Sequence, residues 1–321
     1  MVTAKEIHPP SSTLHPLFLA GPTAVGKSAV ALALAEKISG EIISVDSMQV
    51  YRGLDIGTAK PTPAERACVP HHLLDICDLS ETFDAAQFVR RAQAAVAEVQ
   101  ARGRTPIFCG GTGLYFKAYL EGLGEAPATD AKVRAELDVT PLDQLLAELR
   151  ERDPVTFEKI DRQNPRRVIR AIEVIRITGR PFSEQRAQWE SESRITHHES
   201  RIVCLTRVAT DLHQRINRRV DEMFAHGLVD ETRALLQPGL AENKTAMQAI
   251  GYRQVVEHLN GERNLAETIE LVKARTRQFA KRQLTWFRRH GHCRWLELQP
   301  GEHVAETLAR LLALPGEVSN S

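Results

Sequence analysis

The chain has almost no net charge to read. Its 42 Lys and Arg against 41 Asp and Glu leave +1 over 321 residues. A balance so near neutral says nothing about partners and moves the question to how the charges are distributed. Cysteine is scarce and scattered. The five thiols, Cys68, Cys77, Cys109, Cys204 and Cys293, include no C-x-x-C pair, which fits a reducing compartment better than a disulfide framework. The pairs His71-His72 and His197-His198 have no cysteine pair beside them, so the spacing gives no support to zinc. No apolar run approaches the ~18 residues of a membrane span. Residues 1–16 hold no apolar signal-peptide centre and read as a flexible tail on a cytoplasmic protein. Internal repeats are lacking too. What remains is an ordinary globular composition, 42% hydrophobic and 26% charged, in a chain long enough for one large or two modest cores.

Against that plain background one stretch stands out. Gly21, Pro22, Thr23, Ala24, Val25, Gly26, Lys27 and Ser28 fit G-x-x-x-x-G-K-[ST], the phosphate-binding P-loop. The apolar run Leu17 to Ala20 precedes it and an Ala/Leu-rich helical run, Ala29 to Ile38, follows. Glycines let backbone N–H groups turn inward around a phosphate, and the helix N-terminus adds partial positive charge there. Lys27 supplies a mobile full charge, and Ser28 an oxygen ligand for Mg²⁺. The motif specifies a diphosphate site without specifying whose diphosphate it is.

The segments after it predict an α/β fold: a P-loop NTPase-like parallel sheet flanked by helices, with a helical insertion domain. A buried strand, Glu41 to Val45, ends in Asp46, and in open α/β sheets ligands lie beyond the carboxyl ends of strands. Asp46 is therefore a candidate metal ligand or general base. Tyr51 to Asp78 reads as an irregular connection, in which Lys60 either reaches a phosphate or is solvated. Asp84 to Arg102 shows helical spacing of Ala85, Phe88, Val89, Ala92, Val96 and Val99. A third strand, Thr105 to Cys109, runs into Gly110-Gly111-Thr112-Gly113, a second glycine-rich turn that places the Thr112 hydroxyl at the crevice. The alternation then stops. Residues 126–199 are helical and charged and are assigned to the insertion, which interrupts a core of residues 17–125 and 200–315. A strand at Arg201 to Leu205, helices from Asp211 to His226 and Leu228 to Leu236, a strand at Arg294 to Leu298 and a helix from His303 to Leu314 complete the core. Ser319-Asn320-Ser321 reads as a loose end.

Charge is concentrated in three places. Arg166, Arg167 and Arg170 share one insertion helix, capped by Asn164 and opened by Pro165. Arg215, Arg218 and Arg219 have the spacing of nucleotide-kinase lid arginines or of a charged outer face. Lys273 to Arg294 carries eight Lys and Arg and no Asp or Glu, with Phe279, Trp286 and Phe287 interleaved. A one-signed run with aromatics suits a polyanion whose bases can stack. The residues leave two classes open: a small-molecule kinase, or a transferase acting on nucleic acid. A nucleic-acid motor would want a strand ending in Asp-Glu, and none is present.

The motif set also resembles a known family. Ala20 to Ser28, Glu41 to Tyr51, Asp55-Ile-Gly-Thr-Ala-Lys-Pro61, Val69-Pro-His-His-Leu73, Gly110 to Tyr115, Ile250-Gly-Tyr-Arg-Gln254 and Lys281 to Arg288 are similar, in order, to the tRNA dimethylallyltransferases (tRNA isopentenyltransferases) of the bacterial type. The resemblance implies a dimethylallyl diphosphate donor, Mg²⁺, and a tRNA anticodon arm as acceptor. N6 of the adenosine at position 37, 3′-adjacent to the anticodon in tRNAs reading codons that begin with U, would become N6-dimethylallyladenosine. It implies Asp46 as general base, Thr112 at the reacting centre, and Arg134 on the diphosphate. It assigns tRNA contacts to Asp46, Ser47, Met48 and Gln49, to Arg166, Arg167, Val168, Ile169 and Arg170, and to Ile250, Gly251, Tyr252 and Arg253. It assigns them also to Lys281, Arg282, Gln283, Leu284, Thr285, Trp286, Phe287 and Arg288. A cytoplasmic monomer is expected. Ile160 to Pro165 departs from the family pattern, which weakens the expectation of phosphate contacts there.

Overall fold

A computed structural model describes residues 14–124, 127, 129–185, 202–290 and 293–314. The tail over residues 1–13, the His197-His198 pair, residues 186–199 of the insertion and the Ser319-Asn320-Ser321 end lie outside the described residues.

From the N-terminus run β1 (Leu17–Ala20), α1 (Lys27–Ile38), β2 (Gly40–Val45), α2 (Pro63–Cys68), β3 (His71–His72), α3 (Ala85–Ala101), β4 (Thr105–Gly110) and α4 (Gly113–Glu121). Five further helices follow: α5 (Ala131–Val139), α6 (Leu142–Arg152), α7 (Pro154–Lys159), α8 (Pro165–Thr178) and α9 (Phe182–Gln185). The chain then returns with β5 (Ile202–Thr206), α10 (Ala209–Ala225), α11 (Leu228–Leu236), α12 (Tyr252–Leu259), α13 (Leu265–His290), β6 (Arg294–Glu297) and α14 (Val304–Leu312). Two compact units result: residues 1–117 with 196–321, and residues 118–195.

The first unit is built on a parallel sheet in the order β3-β2-β4-β1-β5-β6. All six residues of β2 are buried, as expected of a parallel sheet covered on both faces. Register decides the function of this sheet. Val45 and Ala20 both pair with Gly110, so β2, β4 and β1 end level with one another. The three loops that follow them therefore emerge side by side: Asp46, the Gly110–Gly113 turn, and the P-loop. On the other side Ala20 pairs with Cys204, which brings the end of β5 to the same rim. Below, Leu19, Val30, Leu34, Ile107, Val203, Leu296 and Leu311 form one apolar cluster.

Two elements of the expected irregular connection are ordered. Thr62 and Glu65 make a reciprocal capping box on α2, and β3 is an edge strand of two residues. Both are too short for a hydrophobic period to announce them. Lys60, expected at a phosphate or in solvent, is in neither place. Its ammonium is buried, 2.6 Å from the Tyr51 carbonyl, 2.7 Å from Asp55 and 2.5 Å from Asp75. The basic run belongs to a helix that begins earlier, at Leu265, and Arg294 falls outside it in β6.

The second unit packs α5, α6 and α8 around Leu137, Leu145, Leu149, Val168, Ala171, Ile172 and Ile175. Asn164 caps α8 by accepting from the Arg167 amide, and Gly179 closes it with φ 72°. Glu173 is wholly buried there, 2.6 Å from Arg170 and 3.7 Å from Arg134.

Candidate active site

Three P-loop carbonyls are engaged by cations, one from within the loop and two from outside it. The Lys27 ammonium donates to Pro22 O at 2.6 Å, Arg215 Nε to Ala24 O at 2.9 Å, and Arg207 Nε to Val25 O at 2.9 Å. Arg207 is itself fixed by Asp211 and by Gln299 O. Gly26 has φ 113°, a left-handed conformation that a side chain would strain. No side chain caps α1 and no acidic residue occupies its first turn. An uncapped helix N-terminus with a cation beside it is a ready anion site.

The charges at this rim act on one another. The Lys27 pKa is lowered to about 8, chiefly by burial and then by Arg219, against the opposing pull of Asp46. Arg219, half-buried on α10, is also pushed below its ordinary value, chiefly by burial, with Asp46 opposing. Cations whose charge is made costly by burial are poised to gain from an anion. Asp46 Oδ1 accepts from the amides of Met48 at 2.8 Å and Gln49 at 3.3 Å. Both bonds use one oxygen, Oδ1. The Ser47 amide donates to Thr112 Oγ1 at 3.3 Å, which joins the Asp46 loop to the second glycine turn.

The three kinase-like arginines thus separate. Arg215 braces the P-loop, Arg218 pairs with Glu222 in solvent, and Arg219 is near enough to Lys27 and Asp46 for their charges to act on it. Arg207 escaped the sequence reading, although it follows β5 as Asp46 follows β2, so the same strand-end rule could have found it.

Several residues expected to touch RNA are interior. Val168 and Ile169 belong to the second unit's core. Tyr252 is fully buried and its hydroxyl accepts from the Gly57 amide at 3.0 Å and donates to Glu231 at 2.5 Å. Phe287 is 1% exposed, edge-on to Phe116, and Leu284 packs against the sheet's cluster. The Gln49 amide accepts from Ser44 and donates to the Thr58 and Ala59 carbonyls. Gln283 is buried between two loops. The Trp286 ring lies so close to Gly113 that a Cβ there would sit 2.1 Å from it. In each case an apolar or amide side chain within a basic motif gains more from burial or internal bonding than from solvent. Arg275, Phe279, Lys281, Arg282, Arg288 and Arg289 stay exposed on α13, and Arg166, Arg167 and Arg253 are exposed on their own helices. Lys273 is not part of a free basic face, since Asp221 and Glu270 hold it at 2.7 and 2.9 Å.

The model of a protein family described as IPP transferase matches residues 49–290. The chain belongs to the IPP transferase family. Among its relatives, tRNA dimethylallyltransferase 1 of Trichlorobacter lovleyi is 47% identical over 284 residues, 87% of this chain and 92% of that protein. The tRNA dimethylallyltransferase of Geobacillus kaustophilus is 44% identical over 310 residues, 92% of this chain and 95% of the other. The crystal structure of the full-length tRNA isopentenylpyrophosphate transferase from Bacillus halodurans aligns with TM-score 0.66 at 38% identity, covering 94% of this chain and 96% of that one. A eukaryotic dimethylallyltransferase acting on tRNA aligns with TM-score 0.72 at 29% identity, covering 89% and 74%. For an IPP transferase the sheet and strand-end loops described above are the expected architecture, and the small-molecule kinase alternative is not favoured.

Proposed function

We propose that this IPP transferase moves a dimethylallyl group from dimethylallyl diphosphate to N6 of the adenosine at position 37 of tRNA, as a cytoplasmic monomer. The single observation that carries the chemistry is the level alignment of β2, β4 and β1. It brings Asp46, the Thr112 turn and the P-loop side by side at the ends of β2, β4 and β1, with the Thr112 turn in the middle.

The uncapped α1 terminus, Lys27 and Arg219 take the diphosphate. As the allylic C–O bond breaks, the electron pair leaves with the diphosphate, and these groups meet the growing negative charge. The N6 lone pair forms the new C–N bond, and the N6 proton passes to Asp46 Oδ2. Thr112 orients the Asp46 loop through Ser47 and borders the reacting carbon. The same reading gives Arg134 to the diphosphate. The residues also fit Mg²⁺: Ser28 offers a hydroxyl, and no cage of three or more His, Cys, Asp or Glu is gathered among the described residues, so substrate oxygens and water would complete the shell. When bound, that ion adds positive charge at the leaving group. The exposed cations of α13, with Arg166, Arg167 and Arg253, neutralise RNA phosphates, and the target base leaves its stack to reach Asp46.

The test is transfer of labelled dimethylallyl from its diphosphate to bulk tRNA in Mg²⁺. A folded protein that leaves tRNA unlabelled overturns the reading. Asp46→Ala is expected to lose turnover about 10²–10⁴-fold while retaining tRNA affinity; normal turnover with lost affinity would refute its role as base.

A further inference from the structure

Gln283 ties the two glycine loops together. It lies on α13, is 7% exposed, accepts from the Thr23 amide at 2.8 Å and donates to Gly111 O at 3.0 Å. A carboxamide is suited to this, because it alone among neutral side chains of that length presents an acceptor and a donor at one end. The fit is close. A Cβ on Gly111 would stand 2.2 Å from Gln283 Nε2, and Gly111 has no positive φ to demand glycine. Gly111 therefore lacks a side chain to admit Gln283, one turn of α13 before Trp286, which covers Gly113 in the same manner.

The two bonds fall on opposite halves of the reaction centre. Thr23 belongs to the limb of the P-loop that holds the leaving group. Gly111 adjoins Thr112, whose hydroxyl fixes the loop of the base. The Thr23 amide donates to Gln283, so this limb of the P-loop is tied to α13. We infer that Gln283 is a positioning residue: it sets the separation between the diphosphate cradle and the Thr112–Asp46 end, and makes no contact with RNA. The inference rests on the transferase reading above. Misplacement by about 1 Å between reacting partners can cost on the order of 10²-fold in rate, and it acts on the chemical step more than on the binding of either substrate.

Three variants of the full chain test this. Gln283→Met keeps the volume and removes both bonds; kcat for dimethylallyl transfer is expected to fall by about tenfold or more, with KM for both substrates within about threefold. Gln283→Glu can reproduce both bonds only when its carboxyl is protonated. Its kcat relative to wild type should therefore recover as pH is lowered, which Gln283→Met should not show. Gly111→Ala should be impaired because it displaces Gln283, and combining it with Gln283→Ala should cost no more than Gln283→Ala alone, since the clash is gone. Unchanged kcat in Gln283→Met, strictly additive costs in the double variant, or a loss confined to tRNA KM would each overturn the inference, the last by making Gln283 an RNA contact. Hydrogen exchange at the Thr23 amide reports the tie without reference to activity, and it should quicken in Gln283→Met. An inactive wild type would sink the transferase reading, while the exchange result would still judge the tie; unaltered exchange rejects it.

Discussion

Lys27 should give this enzyme an alkaline limb that begins unusually early. Burial and the nearby Arg219 lower its pKa to about 8 from an ordinary 10.5. With that value, roughly nine-tenths of free enzyme carries the Lys27 charge at pH 7 and about one-tenth at pH 9. Only the charged form grips a diphosphate well, so kcat/KM for dimethylallyl diphosphate should fall about tenfold over that interval. Bound diphosphate raises the Lys27 pKa again, so kcat at saturation should stay level to higher pH. The sign for folding is opposite. The unfolded lysine keeps its proton to about 10.5 while the folded one releases it near 8, so the fold gains stability across that window as pH rises. Loss of kcat/KM there cannot be Lys27-driven unfolding. Steady-state transfer assays from pH 6.5 to 9.5 read the limb directly. Lys27→Arg, which holds its charge throughout, should abolish the limb even if the level of activity is lower. Arg219→Gln should move it to higher pH by removing a positive neighbour. A flat profile to pH 9.5, or a limb unmoved by Lys27→Arg, would refute the account of this cradle.

Arg219→Ala should raise KM for dimethylallyl diphosphate about tenfold or more, because a charge-assisted bond to a phosphate is worth about 1.5–3 kcal/mol, whereas Arg218→Ala, on the solvent side, should leave it unchanged. Glu173→Gln should destabilise the second unit by about 1.5–3 kcal/mol, since it removes the buried charge that the partly exposed Arg170 and Arg134 meet; thermal melts and limited proteolysis would report it. The buried Glu41 carboxyl is held below its ordinary 4.5, chiefly by its hydrogen bond from Arg102 and then by His72. Its contribution is full above about pH 4.5 and is lost as pH falls through the lower folded value, and Glu41→Gln should remove that part of the acid transition. Arg282→Ala with Arg288→Ala should weaken tRNA retention and reduce the salt slope by about one to two counterions, without changing affinity for the diphosphate alone.

Reading the chain and reading the fold gave different kinds of information. The cradle was legible because the P-loop is local: strand, glycine turn, cation and helix are contiguous, so pattern alone places them. Asp46 and Thr112 were legible by one further rule, that function gathers at strand ends. The arginines were harder. Arg215, Arg218 and Arg219 lie within five positions on one helix, yet they respectively brace the P-loop, pair in solvent and face Lys27, because a helix turns successive residues by about 100°. The α13 motif misled in the same way. Its cations and its buried Gln283 and Phe287 alternate along one helix, and only packing tells which face carries which.

The order of residues by itself determined the kind of site, since glycine spacing, a lysine and a helix start suffice to bind a diphosphate. It determined the α/β class too, since period and length follow from local chain geometry. Only the tertiary structure decided which distant side chains complete the cradle. Arg207, Arg219 and Gln283 stand roughly 180 to 260 positions from the P-loop, and no local pattern encodes contacts across such separations. Strand register and helix packing bring them together.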